Sequence, residues 1–191
     1  IGSIDSAKAS NVQFSNHEGM NTSAEHLSLS NLDTEHIDAD SAQLSDLSIL
    51  RTNDGTELTL GSAEAKRLNS ETYGTIDSAK LSNAAISNRS GIQSSVEQLT
   101  LNQVDTDHVD AAQLSLDSFQ VQKHKDGLST SADTVSVSQL ETKDANVRSA
   151  SLSGINIQHS DGITRSQLEQ GSATGITGHG TTVGNVTVSE I

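Results

Sequence analysis

The sequence predicts an all-β repeat protein, and three observations lead there: turn glycines at a fixed spacing, apolar residues in pairs two apart, and no proline in 191 residues. The glycines close His17-Glu18-Gly19, Asn53-Asp54-Gly55, Arg89-Ser90-Gly91, Lys125-Asp126-Gly127 and Ser160-Asp161-Gly162, at intervals of 36, 36, 36 and 35 residues. Asp-Gly favours a tight hairpin because both positions tolerate positive φ. Longer strings repeat as well. Ser23–Ala39 aligns without gaps with Ser95–Ala111, and Ile4-Asp-Ser-Ala-Lys8 returns as Ile76-Asp-Ser-Ala-Lys80. Both offsets are 72 residues, twice the basic unit.

Within one unit the pairs are Leu27/Leu29, Leu32/Thr34, Ile37/Ala39, Ala42/Leu44 and Leu47/Ile49. They recur as Leu99/Leu101, Val104/Thr106, Val109/Ala111, Leu114/Leu116 and Phe119/Val121. A two-residue step puts both members on one face of a strand. Recurrence about every five residues then predicts a short strand, a corner and another short strand, with no helical period. Leu58/Leu60 supplies a sixth pair. The expected fold is a β-solenoid (β-helix) of about 36-residue repeats, two three-sided windings to a repeat, with an Asp-Gly hairpin at one corner. One six-sided winding would enclose a void that these side chains could not fill. Thr34, Ser70, Thr106 and Thr142 are expected to point inward and bond along the axis. The array is read as residues 1–162, with a partial repeat 1–19 and units 20–55, 56–91, 92–127 and 128–162. Residues 163–191 contain Gly171, Gly175, Gly178, Gly180 and Gly184. They are read as a degenerate terminal winding, a cap or a connecting strand.

Composition sets the function classes. Apolar residues make up 32% of the chain, and its aromatics are Phe14, Tyr73 and Phe119, too few large side chains for a compact globule. Polarity alone suits disorder, but disordered segments collect proline and paired strands expel it. A net charge of −14 and a pI near 4.6 exclude nucleic acid as a partner and disfavour an anionic membrane surface. No apolar run is long enough to insert in a membrane as a helix. Zero cysteine excludes a disulfide framework. An opening at Ile1 in place of Met implies a processed or excised segment. Residues 1–14 already follow a mid-repeat pattern, so neither end of the array reads as capped.

The paired apolar positions and Asp-Gly corners, over residues 4 to 162, resemble the β-solenoids of bacterial surface adhesins, secreted matrix fibrils and functional amyloids. That resemblance implies an extracellular or cell-surface scaffold. The expected function is structural and non-catalytic: a fibre, biofilm-matrix fibril or adhesin stalk that stacks end to end with copies of itself. Two rival readings are a stalk of a larger adhesin or phage fibre with its binding tip elsewhere, and a module that binds cations or a host or matrix ligand.

Candidate chemistry is sparse. Positions flanking the second strand of each unit hold Asp33 and Glu35, Asn69 and Glu71, Asp105 and Asp107, then Glu141 and Lys143. Stacked in register, Asp33, Glu35, Glu71, Asp105, Asp107 and Glu141 would form an acidic stripe that could take Ca2+ weakly through its carboxylates. The plainer reading is a solvated acidic face that blocks sideways sheet pairing. Gly19, Gly55, Gly91, Gly127 and Gly162 are the structural turn positions. His36 and His108 are equivalent, and His17, His124 and His159 sit beside the glycine turns. They are spaced too widely along the chain to converge on a metal. No Gly-x-Ser-x-Gly elbow or glycine-rich phosphate loop occurs, and the aromatics are too few for a sugar-binding platform. The chain is therefore not expected to be an enzyme.

Overall fold

The computed structural model describes residues 2–16, 19–72 and 74–190. His17 and Glu18 of the first glycine turn lie outside the described residues, as do Tyr73, Ile1 and Ile191. Among the described residues the regular structure is all strand. β1 (Ser3–Ser10) and β2 (Gln13–Ser15) lie end to end against β3 (Met20–Asp33). Then come β4 (Asp38–Thr52), β5 (Gly55–Ser70), β6 (Gly74–Ser87), β7 (Ile92–Asp105), β8 (Val109–His124), β9 (Gly127–Thr142) and β10 (Asn146–Ser160). β11 (Ile163–Gln167) and β12 (Gln170–Gly178) share the free side of β10, and β13 (Thr181–Ser189) is last.

All of these belong to one open sheet in which the chain runs back and forth, each pass pairing antiparallel with the pass before it. The expected windings are replaced by this meander, because the chain reverses at both ends of every pass. At one end the predicted glycines sit at the reversal, with Gly55 opening β5, Gly91 between β6 and β7, and Gly127 opening β9. At the other end the reversals use Thr34, Ser70, Thr106 and Thr142. The Thr34 hydroxyl donates to the Ile37 carbonyl at 2.7 Å and accepts from the Ile37 N–H at 3.0 Å. Thr106 does the same with Val109, and Thr142 with Ala145, while Ser70 Oγ accepts from the Thr72 N–H. These hydroxyls close their own turns, a local use that competes with the axial bonding expected of them.

The passes are not flat. Between β3 and β4 the ladder includes Ser30↔Ser41 and Leu32↔Ala39 but skips Asn31 with Asp40; it includes Ala24↔Leu47 and His26↔Ser45 but skips Glu25 with Asp46. The same two interruptions recur in register in the neighbouring ladders. They form two lines across the sheet, six residues apart on each pass. Each pass adopts a left-handed backbone at the second line it meets. Those residues are Asn11, Asn31, Asp46, Arg67, Asn83, Gln103, Ser118, Gln139, Gly154, Gly175 and Glu190, with φ between 46° and 63°. Asn, Asp and Gly tolerate that conformation best and make up most of the set.

The lines explain the spacing of the apolar pairs. In β4, Ala42 and Leu44 are two apart, as are Leu47 and Ile49, but Leu44 to Leu47 is three. An odd step on a flat strand would carry the side chain to the opposite face. The corner residue Asp46 absorbs it, so all pairs keep to one side. Across the sheet the pairs align into rows, such as Leu27, Leu44, Ala63, Leu81, Leu99, Leu116, Val135 and Leu152. Most of this row is half-buried. Among the described residues the buried apolar ones are Ala39, Val104, Ala111 and Ala132, each next to a corner line.

The core is correspondingly thin. The accessible surface is 12623 Å², against about 8,700 Å² expected for a compact monomer of this mass. Backbone ladders and half-buried rows carry stability that a globule would draw from its centre.

Candidate functional site

Two features concentrate polar side chains: the corner lines and the threonine end of the sheet. At the corners the backbone ladder is interrupted, and side chains bridge the break. Asn31 Nδ2 donates to Asp5 Oδ2 at 2.7 Å. The Asn11 and Asn83 amides donate to Glu25 and Glu97, and Arg67 pairs with Asp40. The first corner met by each pass is mostly acidic, and each of its carboxylates faces an amide, arginine or glycine of one of the two adjoining passes. Glycine takes over where the opposing side chain needs the space. A Cβ on Gly61 would lie 2.9 Å from the Asp46 Cβ, and one on Gly154 would overlap the Glu169 side chain.

The expected acidic stripe lies at the threonine end, divided between strand ends and turns. Asp33, Asp105 and Glu141 belong to strands. Glu35, Glu71, Asp107 and Lys143 are in the turns that follow. Two carboxylates absent from the expected stripe complete it. Asp38 pairs directly with Asp33, and Asp110 stands between Asp105 and Glu141. Both are visible in the aligned strings, as Ile37-Asp-Ala39 and Val109-Asp-Ala111, but there they read only as fillers between inward residues. Each also braces the turn beside it. Asp38 Oδ1 accepts from the Thr34 N–H and Asp110 Oδ1 from the Thr106 N–H, both at 3.3 Å. The turns therefore hold like charges opposite one another, an arrangement that destabilises cross-strand pairs.

Shallow hollows lie over these rows. One is lined by Asp5, Asp33, Asp38, Asp40 and Arg67. The other has their equivalents 72 residues on: Asp77, Asp105, Asp110 and, in place of Asp40 and Arg67, Ala112 and Gln139. The second has lost the ion pair and gains Glu141. Among the described residues no three His, Cys, Asp or Glu side chains converge as a metal site would require. Replacing Asp110 with Asn keeps the Oδ1 acceptor and removes one charge from the row. Asp110→Asn should raise unfolding stability by about 0.5 kcal/mol, more at low salt than at high. Urea midpoints at two ionic strengths measure it, and a lower midpoint would mean the charge is needed.

The described histidines do not gather. His36 and His108 sit in threonine turns, their N–H groups donating to Thr34 and Thr106. His124 Nδ1 lies 3.2 Å from the Ser90 carbonyl, and His159 Nδ1 lies 2.8 Å from Thr164 Oγ1. The arrangement closest to a nucleophilic trio is Ser45, His26 and Glu25. Ser45 Oγ is 3.2 Å from His26 Nδ1, and His26 Nε2 is 3.7 Å from Glu25. The group lies exposed on the strand face. No known protein family, curated protein or solved structure matches the chain.

Proposed function

We propose that this protein is a non-catalytic structural element of an extracellular fibre, biofilm-matrix fibril or adhesin stalk. In this reading each 36-residue unit contributes two antiparallel passes, folded at two corners and stacked on the unit before, as an antiparallel form of the solenoid. Copies then associate through the two ends of the stack. One observation carries the reading: the described residues form a single open sheet of like passes, with apolar rows running along it and no compact core. Ile4, Val12 and Phe14 are exposed at one end, and Val183, Val186 and Val188 at the other. Unpaired strand edges template further pairing unless charge, proline or a covering element blocks them. The chain has no proline, and β13 carries no charged side chain. The acidic turns line one long side, the threonine end, where their charge keeps stacks apart.

The test is direct. Negative-stain images and light scattering over a concentration series should give elongated particles that lengthen with concentration. Monodisperse monomers at every concentration would sink the reading. Screening the acidic sides gives a second expectation. Millimolar Ca2+, or a shift from pH 7 to pH 4, should promote sideways bundling and raise scattering, and a flat signal under both conditions would remove that role for the stripe.

A further inference from the structure

We propose that Asp161-Gly162 is a site of spontaneous aspartate isomerisation, and that the fold shields the other two Asp-Gly peptides of the chain from the same reaction. The site is a single hairpin loop, so it stands whether or not the chain builds a fibre.

The sequence contains three Asp-Gly peptides, beginning at Asp54, Asp126 and Asp161. All three lie at two-residue hairpin loops, but they sit differently in them. Thr52 pairs with Gly55 and His124 with Gly127, so the loops there are Asn53-Asp54 and Lys125-Asp126. Each glycine belongs to the pair that closes its loop, and such a pair exchanges both backbone hydrogen bonds. The Gly55 and Gly127 N–H groups are therefore held by the Thr52 and His124 carbonyls. In the third hairpin Ser160 pairs with Ile163, and Asp161 and Gly162 are themselves the loop. The peptide between them lies outside the ladder. Both residues have positive φ, 51° at Asp161 and 73° at Gly162, which makes the turn type I′. A Cβ built on Gly162 would meet nothing within 4 Å, so the loop has room to move there.

In the isomerisation the glycine nitrogen gives up its proton and adds to the aspartate side-chain carboxyl carbon. The new C–N bond closes a cyclic imide, and the carboxyl OH leaves with a proton as water. Water then reopens the ring at either carbonyl. Opening at the main-chain carbonyl leaves the chain running through Cβ, with the α-carboxylate as the new side chain and composition unchanged. The first step needs the Asp-Gly peptide to rotate until its nitrogen faces the carboxyl carbon. At Asp161 a change from type I′ to type II′ does this, because it takes ψ of the first central residue from about 30° to about −120°. No ladder bond breaks. At Asp54 and Asp126 the same rotation pulls the glycine N–H off the carbonyl that closes the hairpin. The product carries an extra main-chain atom, which does not fit the type I′ loop, so the pairing of β10 with β11 should loosen.

The test is to age the intact chain at neutral pH and map its peptides by electron-transfer mass spectrometry, which separates aspartate from isoaspartate. Isoaspartate should accumulate at Asp161 roughly fivefold faster than at Asp54 or Asp126, the factor that one retained hydrogen bond sets. In urea the three positions should age at similar rates. Equal rates in the folded chain, or a slower rate at Asp161, would overturn the proposal. A preference for Asp161 that persists in urea would overturn it too, by tracing the difference to neighbouring residues and not to the loop. Asp161→Asn follows the same path with ammonia as the leaving group, so it should convert to acid on ageing; a lasting amide would count against the site. Trypsin should cut aged chain after Arg165 sooner than fresh chain, and equal cutting would overturn the loosening of β11.

Discussion

Replacing Gly154 with Val is expected to lower unfolding stability by about 3 kcal/mol, because two separate faults fall at one residue. Gly154 holds φ at 63°, a region that a β-branched side chain enters only under strain. Its missing Cβ also leaves the space that Glu169 occupies from the next pass. The faults separate by double substitution. Adding Glu169→Gly removes the Cβ, Cγ and Cδ that make the overlap and should restore about half of the loss, leaving the backbone cost. Gly184→Val is the control. Gly184 stands at the first corner that its own pass meets, where its backbone is not left-handed, and a Cβ there meets nothing within 4 Å. It should change stability by no more than about 0.5 kcal/mol. Urea denaturation followed by circular dichroism measures all three. Equal midpoints for Gly154→Val and Gly184→Val would remove the claim that the second corner of each pass is conformationally special.

How far these corners could be read beforehand depends on the residue. The odd step from Leu44 to Leu47 is visible in the sequence, and it falls at Asp46, which both neighbouring ladders skip within one long strand. Asn11, Asn31, Asp46 and Asn83 carry the usual signature of a left-handed residue. Arg67, Gln103, Ser118 and Gln139 carry none, and the sheet imposes the conformation on them through neighbouring ladders. Strand direction is less legible still. Pairs two apart look the same whichever way a strand runs, so Ile37/Ala39 and Leu27/Leu29 fit a winding and a meander equally. The deciding residues are Thr34, Thr106 and Thr142. Inward hydroxyls in a narrow core and hydroxyls that close a reversal have the same spacing, and only their carbonyl partners three residues on distinguish them. The acidic end is half legible for a related reason. Asp33 and Asp105 stand out as flanking acids, while Asp38 and Asp110 become their opposites only once the chain has turned back.

Strand direction also sets the largest effect expected from any change to this chain. Deleting residues 20–55 removes β3 and β4 and joins Gly19 to Thr56, so β5 follows β2 and takes the place of β3. The corner lines stay aligned, with Asp5 opposite Arg67 and Asn11 opposite Gly61, both pairings of kinds already present. Ile4 then meets Leu68, Val12 meets Leu60 and Phe14 meets Leu58, so the apolar rows continue. That variant should fold, unfold cooperatively and keep its strand signature. Deleting residues 38–55 removes β4 alone. β3 and β5 run in the same direction, and parallel neighbours need a crossover of a dozen or more residues, where the cut leaves only the Thr34 turn. The sheet would have to split there, or β3 and everything before it detach. The shorter deletion should therefore abolish cooperative unfolding and expose the preceding strands to limited proteolysis, although it removes half as many residues as the tolerated one. Equal tolerance of both cuts would mean that passes need not alternate in direction, and the meander would have to be abandoned.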